Sequence, residues 1–155
     1  MKISGGAMKR VKETAGNSNE QRSVEPEMLG KLGARLGIAL AKRKIKTPGG
    51  THLEIDGVSD EPLVLCEASA HHGSLKSGQK SKILVDAFKL IYAELLLRKQ
   101  ARKIILLACD QAAAAFRTKK WMAESLRAFN IEVEVVKLEA KSAELVRQAQ
   151  IRQVR

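Results

Sequence analysis

At 155 residues, 45% hydrophobic and 29% charged, the chain is about one domain long and apolar enough to bury a core. No segment approaches the ~18 consecutive apolar residues of a membrane span, and the N-terminus has no apolar run of signal-peptide length, so a cytoplasmic location is expected. A formal net charge of +11 favours polyanionic partners, nucleic acid ahead of an acidic membrane surface, because each neutralised phosphate releases condensed counterions.

Residues 1–24 are polar, rich in Lys, Arg, Gly, Ser and Asn, and lack a periodic apolar face, so they read as a flexible basic arm ahead of a single domain at 25–155. Pro26, flanked by Glu25 and Glu27, marks a first helical turn. Met28, Leu29, Leu32, Leu36, Ala39 and Leu40 continue that helix to about Arg43. An acid such as Glu27 is expected there from the helix dipole alone.

Lys44 to Thr47 is a short strand, and Pro48-Gly49-Gly50 turns into a strand at His52 to Asp56. The turn-rich Gly57 to Pro62 then returns the chain into Leu63 to Ala70 as an antiparallel partner. A helix over Gln79 to Arg98 follows. It turns Ile83, Leu84, Ala87, Phe88, Ile91, Leu95 and Leu96 to a core, with Gln79, Lys82, Asp86 and Lys89 on a polar stripe. Lys103 to Asp110 reads as a buried strand, Gln111 to Phe129 as a helix, Ile131 to Leu138 as a strand parallel to it, and Ala140 onward as a terminal helix. The fold class expected is α/β, with a mixed central sheet flanked by helices.

Glu67 sits between apolar neighbours in a strand that looks buried, and Asp56 lies on the strand before it. Taking an ionised carboxylate out of water costs several kcal/mol unless it is paired, hydrogen-bonded or metal-bound. Two such acids on adjacent strands point to a cation site, with an ion pair from Glu67 to Lys82 or Arg117 as the structural alternative. Glu54 reads as a solvated or salt-bridged edge acid, and His71-His72 as a polar loop without a third ligand. Cys66 and Cys109 read as reduced core residues in strands. Trp121, beside Arg117, Lys119 and Lys120, is of a type more often found in the core than stacked on a base.

A leading helix, a meander whose second strand ends in an acid, and a third strand with Glu67-Ala68-Ser69 resemble the PD-(D/E)XK nuclease superfamily, over roughly Glu25 to Asp110. Two of three signature positions match, and Ser69 stands where that family has its lysine. The resemblance implies a restriction-endonuclease-like αβββαβ core, here with an added C-terminal αβα extension. It also implies Asp56 and Glu67 as ligands of Mg²⁺ or Mn²⁺, whose hard ions prefer oxygen donors. Lys82 is the preferred substitute for the strand lysine, ahead of Lys80 and Lys76, giving a catalytic set of Asp56, Glu67 and Lys82. Lys76, Gln79, Lys80, Arg117, Lys119 and Lys120 are the expected nucleic-acid contacts, mainly to backbone phosphates.

The activity implied is metal-dependent cleavage of DNA, as an endonuclease or exonuclease. The alternatives are an inactive nuclease-fold binding module and a regulatory protein-interaction subunit. The partners expected are nucleic acid, DNA above RNA, and no membrane, with a homodimer as an open alternative.

Overall fold

The computed structural model describes residues 19–154. A five-stranded mixed sheet is flanked by helices on both faces, in the order α1 (Asn19–Leu36), β1 (Ala41–Lys46), β2 (His52–Asp60), β3 (Leu63–Ser69), α2 (Ser77–Leu97), β4 (Arg102–Leu107), α3 (Asp110–Ala114), α4 (Trp121–Ala128), β5 (Ile131–Val135) and α5 (Ala140–Gln153). Spatial order follows chain order. β1, β2 and β3 form an antiparallel meander, and β3, β4 and β5 are parallel. The β2–β3 hairpin and the β4–β5 parallel pair agree with the alternation and apolar runs of the sequence.

Side chains alternate between two cores along β3 and β4. Leu63, Leu65, Ile105 and Leu107 pack with Ile83, Ala87 and Leu90 of α2 and Leu126 of α4. Val64, Cys66, Ala68, Ile104 and Leu106 pack with Val24, Met28 and Leu32 of α1 and Val146 of α5. Burying both faces explains why β3 and β4 are near-continuous apolar runs. Glu67 follows the odd residues of β3 and so faces α2.

Several boundaries differ from the sequence reading. α1 begins at least six residues before Glu25, with Gln21 and Val24 buried, so the stretch assigned to a basic arm is helical from Asn19; residues 1–18 lie outside the described part. Pro26 is inside the helix rather than in its first turn. α1 also stops at Leu36, because Gly37 takes φ +69° and the Ile38 N–H donates to the Gly33 carbonyl, which turns the chain out. The basic run after it is the edge strand β1, where lysines are favoured because they discourage further pairing.

β2 does not end at Asp56 but runs on to Asp60, so the turn expected over Gly57 to Pro62 is confined to Glu61-Pro62. Cys109 caps α3 beyond the end of β4 instead of lying in the strand. The helix expected over Gln111 to Phe129 is two short ones. They are separated by a turn in which Thr118 accepts from the Lys120 N–H through Oγ1 and from Arg127 through its carbonyl. Trp121 is 65% exposed, not core. Phe88 and Leu95 likewise point outward, whereas Asp86 is buried.

Candidate acidic site between the second and third strands

The pairing of β1 with β2 contains a bulge. Ala41 pairs with Val58 and Arg43 with Ile55, so two steps on β1 are matched by three on β2, and the extra residue falls at Asp56-Gly57. A bulge re-aims the side chains beside it. Ile55 and Val58 therefore both reach the α2-side core despite their odd spacing. Asp56 is turned toward the groove against α1 that Arg22, Glu25, Pro26, Leu29, Leu40 and Lys42 also line, a space of about 250 Å³.

The β2–β3 ladder runs from Asp60↔Leu63 to Gly57↔Cys66 and stops where Asp56 and Glu67 would face each other. Beyond that point carboxylates replace the ladder. Asp56 Oδ2 accepts from the Ala68 N–H at 3.0 Å, and Glu67 Oε1 accepts from the Asp56 N–H at 3.3 Å. Each carboxyl group thus reaches the backbone of the other strand, and the Asp56 charge bears directly on Glu67. Buried backbone donors need acceptors, so these bonds fix both acids in the gap.

Burial, and then the neighbouring Asp56 charge, push the Glu67 carboxyl up to about 9, against the pull of the Lys89 ammonium. Glu67 is thus hard to ionise where it lies, and a cation beside it favours its charged form. Lys89 Nζ lies 3.0 Å from Glu67 Oε1. Burial pulls the Lys89 pKa down, but the Glu67 charge and hydrogen bond, with the Asp86 and Asp56 charges, together hold the group above its ordinary value.

Glu25 is the third acid of the site. Burial, and next the Asp56 charge, raise it to about 7, while Lys82, Lys42 and Arg22 work in the opposite direction. Asp86 is also raised by burial, opposed by Lys82 and Lys89. The polar stripe of α2 thus covers the acids instead of facing water. Four carboxyl groups, Glu25, Asp56, Glu67 and Asp86, are interleaved with Lys82 and Lys89. Among the described residues no three His, Cys, Asp or Glu side chains converge as a ready-made metal cage.

The structure therefore brings Asp56 and Glu67 together as the sequence suggested, and it changes the lysine beside them. The ammonium on Glu67 is that of Lys89, while Lys82 pairs with Asp86 at 3.4 Å and lies near Glu25. Arg117 pairs with Asp110, not with Glu67. Lys89 and Glu25 were the residues missed. Lys89 stands on the same stripe as Lys82, seven residues on, and Glu25 was passed over because an acid beside Pro26 reads as an ordinary first-turn acid. Glu27, the other acid there, accepts from the Glu139 N–H at 2.8 Å and pairs with Lys31.

The expected nucleic-acid contacts divide. Lys76 is exposed at the start of α2, and Lys119 and Lys120 are exposed ahead of α4. Gln79 is committed internally: its Oε1 accepts from the Lys76 N–H at 2.8 Å and its Nε2 lies 3.1 Å from His71 Nδ1. His71 is buried, with Nε2 3.2 Å from the Ser74 carbonyl, and burial keeps its pKa below the usual value, so it pins the loop as a neutral ring. Glu54 pairs with Lys42 at 3.4 Å, the edge ion pair its sequence position suggested. Both cysteines are free thiols, and burial pushes the Cys66 thiol up, out of the reactive range.

No helix among the described residues is long and apolar enough to cross a membrane. Comparison with protein-family models, with curated proteins and with solved structures finds no match.

Proposed function

We propose that the chain is a divalent-metal-dependent phosphodiesterase acting on nucleic acid, DNA in the first instance, with the site built on Asp56, Glu67 and Lys89. One observation carries this reading: two carboxyl groups meet where β2 and β3 part, one of them buried, with a lysine held on it. Two acids in contact repel when both are ionised, so the pair calls for a proton or a cation, and carboxylate oxygens suit Mg²⁺ or Mn²⁺. Asp56 and Glu67 would hold such an ion, which lowers the pKa of a bound water and offsets charge on a phosphate.

The chain's own residues supply the rest. Lys89 places a positive charge beside the reacting phosphate, taking the electrostatic part that Ser69 cannot. Lys82 offsets the acids from the Glu25 side, and Lys42 and Arg22 extend the positive rim of the groove. The +11 net charge supports phosphate-backbone binding that weakens steeply with salt.

The second reading is a nucleic-acid-binding module without chemistry, favoured by Ser69 at the family's lysine position and by the ion pair that already satisfies Glu67. The test is cleavage of labelled single-stranded, duplex and branched DNA at low salt with Mg²⁺ or Mn²⁺, beside an EDTA control and the Glu67→Ala variant. Metal-dependent cuts lost in the variant support a nuclease. Binding without cuts, unchanged by EDTA, supports the binding module.

A further inference from the structure

The outward face of α2 is apolar. Val85, Phe88, Tyr92 and Leu95 are 64%, 72%, 36% and 70% exposed, and no charged residue lies between them on that face. The solvent side of a surface helix ordinarily carries charge, because only the core-facing stripe gains from being apolar. Here the core-facing side is filled by Ile83, Ala87, Leu90 and Ala93, so the helix carries two apolar faces. The second continues into a groove of about 180 Å³ between α2 and α4, lined by Leu84, Phe88, Ile91, Leu126 and Phe129, with Phe129 57% exposed.

We infer that this face is the interface of a symmetric homodimer in which the α2 helices of two copies of this chain pack antiparallel. The spacing carries the inference. Steps of three, four and three residues from Val85 to Leu95 are those of a heptad seam, the pattern by which one helix packs on another of its kind. They are also symmetric about their midpoint, so a two-fold axis there sets Val85 against Leu95 and Phe88 against Tyr92 of the other copy, as an isologous contact requires.

The area agrees. The exposed apolar surface of these four side chains and Phe129 is of the order of a few hundred Å², the scale of apolar core that a dimer interface of about 800 Å² per partner buries. Charge does not decide against it, since the +11 of each chain lies outside the seam and is screened by salt. The inference stands independently of the nuclease reading.

Sedimentation equilibrium of the full chain across the micromolar range, at low and high salt, tests it. The expected result is a species of twice the 17.0 kDa chain mass that tightens with salt, opposite in sign to nucleic-acid binding. Phe88→Glu and Tyr92→Lys, each with an unchanged circular-dichroism spectrum, are expected to give monomers. A monomeric wild-type chain, or a dimer that survives both single variants, would each overturn the inference. A monomer that instead binds anionic vesicles through Phe88 would overturn it in favour of a membrane surface.

Discussion

Lys89 Nζ lies 3.0 Å from Glu67 Oε1, whereas Lys82, two helical turns earlier on the same face of α2, lies 3.4 Å from Asp86. One helix thus supplies two ammonium groups to one acidic cluster, but only Lys89 touches the buried acid on β3. Removing a preorganised charge at a reacting centre typically costs about 10²–10³ in rate. On the proposed phosphodiesterase reading, Lys89→Met is accordingly expected to lower single-turnover cleavage by roughly 10²-fold or more at saturating Mn²⁺, and Lys82→Met by roughly tenfold or less. A larger loss in Lys82→Met than in Lys89→Met would return the electrostatic role to Lys82.

How the acids were legible, and the lysine was not, follows from locality. Glu67 announces itself because Leu63-Val64-Leu65-Cys66 before it and Ala68 after it belong to a strand buried on both faces, where an acid is costly. Lys82 and Lys89 share a helical stripe, and which of them reaches Glu67 depends on how α2 lies across the sheet, a non-local quantity. The bulge at Asp56 was hidden for the same reason, since it exists only in the register between β1 and β2. Glu25 was obscured by Pro26, whose usual place in a first helical turn set the expected start of α1 too late. Phe88 and Leu95 fit a core pattern by residue type alone, and their exposure appears only once Ile83, Ala87 and Leu90 have filled the core side.

Gly57, at the bulge, accepts a side chain only if Leu29 and Leu40 give way. A Cβ there would sit 2.8 Å from Leu29 Cδ2 and 3.2 Å from Leu40 Cβ, so α1 and the segment entering β1 close directly over the strand. Overpacking of this kind costs typically 1–3 kcal/mol. Gly57→Ala is expected to lower stability by about 2 kcal/mol in urea unfolding and to displace Asp56, its chain neighbour, which on the proposed reading also weakens Mn²⁺ binding. Stability and metal affinity both equal to wild type would show that α1 accommodates the methyl group without moving the site.

Glu67 also makes a signed prediction about pH. Its carboxyl is raised from 4.5 to about 9 in the folded chain, so between those values the folded state holds a proton that the unfolded state has released. Stability is therefore greatest at low pH on this account and falls as pH rises toward 9, by up to about 1.4 kcal/mol per pH unit. Glu25, raised to about 7, adds to the fall below neutrality, while His71, held neutral by burial, opposes it below its ordinary 6.5. The window from about pH 7 to 9 thus isolates Glu67 from both. In EDTA, the thermal midpoint of the wild-type chain is expected to drop across that window by roughly 3–5 °C per pH unit, and Glu67→Gln, which keeps the shape and cannot ionise, is expected to be nearly flat there. On the proposed metal-dependent reading, saturating Mn²⁺ should reduce the wild-type slope by replacing the Glu67 proton, and leave the variant unchanged. Equal slopes for wild type and Glu67→Gln in EDTA would show that Glu67 is already ionised at neutral pH, balanced by Lys89, and holds no proton for a cation to displace.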